Sequence, residues 1–224
     1  MDSFQGSTPV SERIKAQYAP ANLTLTSIIQ GAAITTLVAR VEATSTAYTA
    51  ANWLMVATTF MAFVLIWHEF LMQALAYVWL PSLVDSLVPF AFLAVELFVA
   101  HFVYGNQRGW LLAASVAFAL GLVAARATQV QARVSSADNQ GVLGAVRSIF
   151  LARQAFYTGL AGLSFAAWGL YDVLRLGQHP LAVALATLAG VVGALGTTVP
   201  DWNRVLAHAR GERTRAASGH AASD

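Results

Sequence analysis

Apolar residues occupy long blocks of this chain, and short polar segments separate them. A helix needs about 20 mostly apolar residues to cross a hydrocarbon core about 30 Å thick. The pattern therefore predicts an all-α, polytopic membrane protein, a bundle of six transmembrane helices within residues 21–202. The predicted spans lie at approximately residues 23–41, 53–79, 83–104, 109–134, 147–175 and 180–199, between a polar arm at 1–20 and a tail at 203–224.

Composition supports this class and excludes several others. Of the residues, 57% are hydrophobic and 11% are charged, whereas a soluble domain has about 25% charged residues. The chain has no cysteine, so disulfides and thiolate ligands are excluded. Its single lysine, Lys15, lies in the polar arm, which excludes a membrane-embedded Schiff base. A formal net charge of +2 gives no reason to expect a nucleic-acid partner.

The distribution of basic residues predicts the orientation in the bilayer. With six spans, both termini lie on one side, and loops on the cytoplasmic side carry the excess of Lys and Arg. Ten of the 13 basic residues fall on the side of the termini, namely Arg13, Lys15, Arg126, Arg133, Arg147, Arg153, Arg204, Arg210, Arg213 and Arg215. We therefore expect cytoplasmic termini, and the Ala, Arg and Leu bias favours a bacterial inner membrane.

Four ionisable residues interrupt the second and third apolar blocks. His68 and Glu69 lie in the second block, and Glu96 and His101 lie in the third. A charge at the centre of a membrane helix costs roughly 2.5 to 3.5 kcal/mol on insertion scales, so such residues usually pair or line a cavity. Together with Gln30 and Arg40 of the more polar first span, they form a predicted buried polar cluster.

A hairpin geometry predicts one specific pair within this cluster. If the second and third spans turn near Pro81 and Ser82, His68 and Glu96 lie at equal depth, each 14 positions from Ser82. We therefore expect them to meet. Glu69 is rotated about 100° from His68 and points elsewhere. Ser82 followed by Asp85 predicts a capping box at the start of the third span.

Local signals give further expectations for the ends of the chain and its loops. The polar first span has hydroxyls on several faces, which predicts a place inside the bundle, although these hydroxyls can also bond to their own helix. A short helix at 11–19 is expected to end before Pro20. Residues 135–144 carry the clearest loop signal, and the tail is expected to be helical only at first.

Small residues recur at every fourth position of the sixth span. Such a row lets helix backbones approach closely in lipid. It serves either packing within the chain or a subunit interface, and both readings remain open. The row consists of Ala182, Ala186, Gly190, Ala194 and Thr198.

No catalytic motif is present, so we expect neither an enzyme nor a resident metal. Haem or another pigment bound through His68 or His101 is a minor possibility, because these residues differ in depth by about 7 Å in the hairpin geometry. Two hypotheses remain. The first is an ion- or proton-conducting or proton-linked transport bundle. The second is a non-catalytic accessory or assembly subunit of a larger membrane complex, or a homo-oligomer.

Overall fold

The computed structural model describes the backbone of residues 10–78, 81–137 and 139–221, with the side chains of all but 10, 11, 146–150, 201 and 212–221. These residues form helices without a strand. The helices are α1 (Val10–Thr44), α2 (Ala50–Ala76), α3 (Leu83–Phe102), α4 (Gln107–Ser135), α5 (Asn139–Gly169) and α6 (Pro180–Ala221), with short 3-10 turns at Ser45–Ala47 and Leu176–Gln178.

Five of these helices, α1, α2, α3, α4 and α6, are long and apolar enough to cross a membrane over the described residues. The chain is accordingly a multi-pass membrane protein. Helix α5 falls outside this group, since Arg153, Gln154 and Tyr157 lower the hydropathy of its described part. Its length nevertheless matches its neighbours, and it packs between α4 and α6.

The six helices close into a ring in which chain order and spatial order differ. Helix α1 packs against α2 and α3, α3 packs against α4, α4 against α5, α5 against α6, and α6 against α2. The consecutive helices α2 and α3 touch little, one contact being the edge-to-face pair of Phe70 and Phe92 at 5.5 Å between centroids. The predicted α2–α3 hairpin of adjacent helices is therefore wrong.

Helix α1 departs from the sequence expectation in two ways. It runs without a break through Pro20, which is exposed. Because proline has no N–H, the helix loses one backbone hydrogen bond there. The Thr24 hydroxyl donates to the Pro20 carbonyl at 2.9 Å. Helix α1 is also not enclosed on all sides, because 33% of its span is buried, the same share as in α2 and α4. Thr35 and Thr36 satisfy their hydroxyls on carbonyls four residues earlier, at 2.8 Å and 2.9 Å, so they need no neighbouring helix.

One face of α1 is buried, and it sets the contact with α3. Its members follow one another at intervals of three or four residues, apart from the adjacent pair Ile29 and Gln30, and are Asn22, Thr26, Ile29, Gln30, Ala33 and Leu37. This spacing is the stripe that a helix presents to neighbouring helices. A polar residue on the stripe must find its partner across the helix interface, and Gln30 is such a residue.

The helix ends confirm one expectation and correct two. Ser82 and Asp85 form the predicted capping box, with Ser82 N donating to Asp85 Oδ2 at 2.6 Å and Asp85 N donating to Ser82 Oγ at 3.3 Å. The expected loop at 135–144 is much shorter, because α5 already begins at Asn139. Helix α6 continues through Pro200 to Ala221, so most of the predicted tail is helical.

Candidate functional site

A cavity of about 90 Å³ lies within the ring, bordered by α2, α3, α4, α5 and α6. Most of its lining is apolar. Six aromatic side chains contribute to the lining, namely Phe63, Phe70, Phe92, Trp110, Phe118 and Tyr157. The Trp110 indole N–H donates to Thr59 Oγ1 at 3.0 Å, so the polar edge of this ring is satisfied inside the bundle.

Glu96 is the most buried ionisable side chain at the cavity, with 1% of its surface exposed. It shares one face of α3 with Phe92, Val99 and Ala100, which are also buried. Gln30 Nε2 of α1 donates to Glu96 Oε1 at 2.6 Å. The second carboxyl oxygen, Oε2, is buried without a hydrogen-bond partner, an arrangement that is costly for a charged carboxylate.

A second polar group closes the other end of the cavity. Arg153 Nη1 of α5 donates to Glu69 Oε1 of α2 at 3.3 Å, and the two side chains are 11% and 20% exposed. Beside them Arg126 Nε donates to Gln154 Oε1 at 2.6 Å. Charged and polar groups at this end therefore satisfy one another across α2, α4 and α5.

The two carboxyl groups lie at different depths. Glu96 is roughly 20 Å along α3 from the end at Leu83, and Glu69 is roughly 10 Å along α2 from the end at Ala76, at 1.5 Å per residue. Because these helix ends are joined by a short connection, Glu69 lies nearer that surface and Glu96 lies roughly 10 Å deeper. A smaller cavity of about 40 Å³ shares Glu69, Gln73 and Arg153 with the first and extends to Val205 of α6.

Asn139 fixes the bundle at the same end. Its side chain is 2% exposed and bonds to the backbone of Val78 in both directions, at 2.8 Å to the N–H and 2.7 Å to the carbonyl. It also donates to the Ala132 carbonyl at 2.8 Å. One amide thus joins the ends of α2, α4 and α5. Thr128 Oγ1 donates to Gln73 Oε1 at 3.0 Å and adds a bond between α4 and α2.

The structure brings together only part of the predicted polar cluster. Gln30 contacts Glu96, whereas His68 does not, so the predicted His68–Glu96 hydrogen bond is wrong. His68 instead faces the Trp202 ring of α6 at 6.5 Å between centroids. The reason is the helix order, because α1 takes the position next to α3 that the hairpin geometry gave to α2.

The remaining two members lie away from the cavity lining. Arg40 Nη2 donates to the Tyr104 carbonyl at 3.1 Å, just beyond the end of α3, and its guanidinium lies 5.9 Å from the Tyr104 ring centroid. His101 is exposed, with its ring edge-on to Phe102 at 5.2 Å. Among the described residues, no group of three or more His, Cys, Asp or Glu side chains is arranged to hold a metal ion.

The predicted small-residue row winds around α6 rather than forming one face. Ala182 and Ala186 are exposed, Gly190 is half-buried, and Ala194 and Thr198 are buried. Each step of four residues turns a helix by about 40°, so the row rotates away from its starting face. At Gly190 the approach to α5 is close, since a Cβ atom there would lie 2.9 Å from Leu160 Cδ2.

The sequence analysis groups Gln30 with Glu96 but counts Arg153, the partner of Glu69, only among the basic residues on the side of the termini. Its position two residues after Leu151 in an apolar run signals a buried cation in need of an anion. Comparisons with protein families, with curated proteins and with solved structures find no match to this chain.

Proposed function

We propose that this chain is a proton-conducting or proton-linked transport protein that works through its central cavity, with Glu96 as the group that binds and releases the proton. The observation that carries the proposal is the Glu96 carboxyl, which lines the cavity at 1% exposure and leaves Oε2 without a partner. A buried carboxylate in this setting gains most by holding a proton or by pairing with a cation.

The other end of the cavity supports the same reading. The Glu69–Arg153 pair borders both cavities, so it lies between the Glu96 chamber and the helix ends at Ala76 and Leu83. A pair that opens and closes there controls access to Glu96 from one side. We further propose that the chain has six spans in a bacterial inner membrane and that both termini lie in the cytoplasm. The end of the cavity at Glu69 and Arg153 then faces the cytoplasm.

Flux in reconstituted vesicles tests the function. Native protein in vesicles that contain a pH-sensitive dye should show proton movement under an imposed pH gradient or voltage, and Glu96→Gln should abolish it while the amide keeps the shape of the side chain. Glu42→Gln is the matched control, because Glu42 is exposed on α1. Vesicles with no proton, sodium or potassium flux under any gradient would overturn the proposal.

One observation favours the second candidate, an accessory or assembly subunit. Between Glu96 and Glu69 the cavity is lined by apolar side chains such as Ala62, Phe63 and Ile66, which offer no fixed chain of polar groups. In that case the Gln30–Glu96 bond only holds α1 to α3, and no flux exists for Glu96→Gln to abolish. The exposed Ala182 and Ala186 then offer close approach to a second subunit or to another copy of the chain.

A further inference from the structure

Two buried oxygen atoms at the contact between α1 and α3 lack a hydrogen-bond partner. They are Glu96 Oε2 and Gln30 Oε1. Both side chains lie in the core, at 1% and 5% exposure, and the bond from Gln30 Nε2 to Glu96 Oε1 at 2.6 Å already joins them. A buried acceptor without a donor is costly, so two such atoms in one contact need a common explanation.

A single hydrogen atom satisfies both oxygens. A protonated carboxyl group has an O–H donor, whereas an ionised carboxylate can only accept. With a proton on Oε2, Glu96 donates to Gln30 Oε1 while Gln30 Nε2 donates to Glu96 Oε1. The two side chains then form a closed ring of two antiparallel hydrogen bonds, the usual pairing of a carboxylic acid with an amide. An ionised Glu96 has no hydrogen to give and leaves both oxygens unsatisfied.

A metal ion is a poorer partner for these two oxygens. A hard cation such as Ca²⁺ takes roughly six to eight oxygen ligands, and the pair offers two. The cavity hydroxyl of Thr58 is engaged with its own helix, because it donates to the Leu54 carbonyl at 2.7 Å. A proton, in contrast, needs only the two oxygens between which it lies.

We propose that Gln30 is the second half of the proton site, and that the acid–amide ring of Glu96 and Gln30 fastens α1 to α3 only while Glu96 is protonated. This proposal rests on the proposed function and names what the proton controls. On release, the O–H bond breaks, its electron pair stays on Oε2, and water in the adjoining cavity takes the proton. The cavity volume of about 90 Å³ leaves room for that water, since one molecule needs about 10 to 15 Å³.

The middle of α1 depends on this ring for its side-chain bond to α3. Thr26, one turn before Gln30, bonds to the Asn22 carbonyl of its own helix at 2.9 Å. A separate anchor lies roughly 15 Å further along α1, where Arg40 Nη2 donates to the Tyr104 carbonyl at 3.1 Å. Loss of the ring therefore loosens the middle of α1, while the end at Arg40 stays attached.

The other charged or titratable groups around the cavity do not take the place of the Glu96 proton. They are Glu69 of α2, and Arg153 and Tyr157 of α5, whereas the cavity residues of α4 and α6 are uncharged. Glu69 and Arg153 pair with each other at 3.3 Å. On α3 itself, His101 is exposed five residues beyond Glu96. The carboxyl whose charge changes at the ring is therefore Glu96.

Infrared difference spectra between low and high pH test the shared proton. Hydrogen bonding lowers the C=O stretching frequency of a protonated carboxyl group. The band that Glu96→Gln removes should therefore lie below that of an aliphatic acid dissolved as a monomer in an apolar solvent. Gln30→Met keeps the length of the side chain but removes both amide bonds, so it should shift the band upward. Gln17→Met, at an exposed position of the same helix, should not. A Glu96 band that Gln30→Met leaves in place would overturn the ring.

The distance between two spin labels tests the fastening of α1 to α3. Cysteines at Ile28 and Phe98 are exposed and each lie two residues from the ring, and the chain has no other cysteine to label. With Glu96 present, the distance should lengthen as the pH rises and the carboxyl band disappears. Glu96→Gln should hold the short distance at every pH, because an amide also donates to Gln30 Oε1 and accepts from Nε2. Equal pH responses with and without Glu96→Gln would overturn the fastening.

Flux measurements separate this proposal from the proposed function. Proton flux that Glu96→Gln abolishes, together with a band that Gln30→Met does not move, would refute the ring and leave the proposed function standing. A band that Gln30→Met shifts, in a protein without flux, would refute transport and support the ring. If Gln30→Met does not fold, the frequency of the native band and the pH dependence of the label distance still decide.

Discussion

The two carboxyl groups of the cavity have opposite surroundings. Glu69 pairs with Arg153 at 3.3 Å, beside a second bond between Arg126 and Gln154 at 2.6 Å. Glu96 has one neutral donor, Gln30 at 2.6 Å, and an oxygen with no partner. A buried polar side chain that has its partners contributes to the stability of a membrane protein. A buried polar side chain without a partner lowers that stability, so its presence needs another explanation. Under the proposed function, the paired Glu69 controls access at its end of the cavity, and the unpaired Glu96 is the group that exchanges the proton.

Glu69→Gln should give the largest loss of stability, because it leaves the Arg153 charge largely buried without its carboxylate. We expect roughly 3 kcal/mol, at the low end for a broken buried pair because both side chains retain some exposure. Reversible unfolding in mixed detergent measures it. The matched control is Glu12→Gln in the exposed pair with Lys15 at 3.1 Å, where about 1 kcal/mol or less is expected. Equal losses in the two variants would show that the Glu69–Arg153 pair contributes no more to stability than an exposed ion pair does.

Asn139→Ala should give the next largest effect. It removes three hydrogen bonds to backbone groups and leaves the N–H and carbonyl of Val78 without that partner. We expect a loss of roughly 2 kcal/mol, with looser packing of α2 on α4 and α5. Asn106→Ala is the control, since Asn106 accepts one bond, from Gly109 N at 2.8 Å, as the N-cap of α4. If Asn139→Ala is no more harmful than that cap, Asn139 does not join the helix ends.

Much of the fold was predictable from the sequence, because hydropathy and capping are local. The blocks of apolar residues gave the long helices, and Ser82 with Asp85 marked the start of α3. The short helix expected at 11–19 does not end before Pro20 but continues into α1, because at an exposed position the proline costs a single backbone bond. Asn139 lies in the segment that the sequence predicted to be a loop, whereas in the structure it begins α5 and is buried.

The site was less predictable, because it depends on which helices are neighbours. Equal spacing from Ser82 identified a depth for Glu96 but not a partner. The Gln30 amide requires partners beyond its own helix, and Glu96 meets half of this requirement by accepting from Nε2, whereas Gln30 Oε1 is buried without a hydrogen-bond partner. The sequence did not indicate that α1 packs between α2 and α3. A long-range arrangement of this kind leaves no trace in the spacing of residues along one hairpin.

The smallest stability effect and the most direct functional test come from the same residue. Glu96→Gln should cost about 1 kcal/mol or less, because the amide can still accept a bond from Gln30. Infrared difference spectra of the native protein between high and low pH measure carboxyl protonation directly. We predict a protonated-carboxyl band on acidification that Glu96→Gln removes and Glu42→Gln preserves. Identical difference spectra for native protein and Glu96→Gln would contradict the assignment of proton exchange to Glu96.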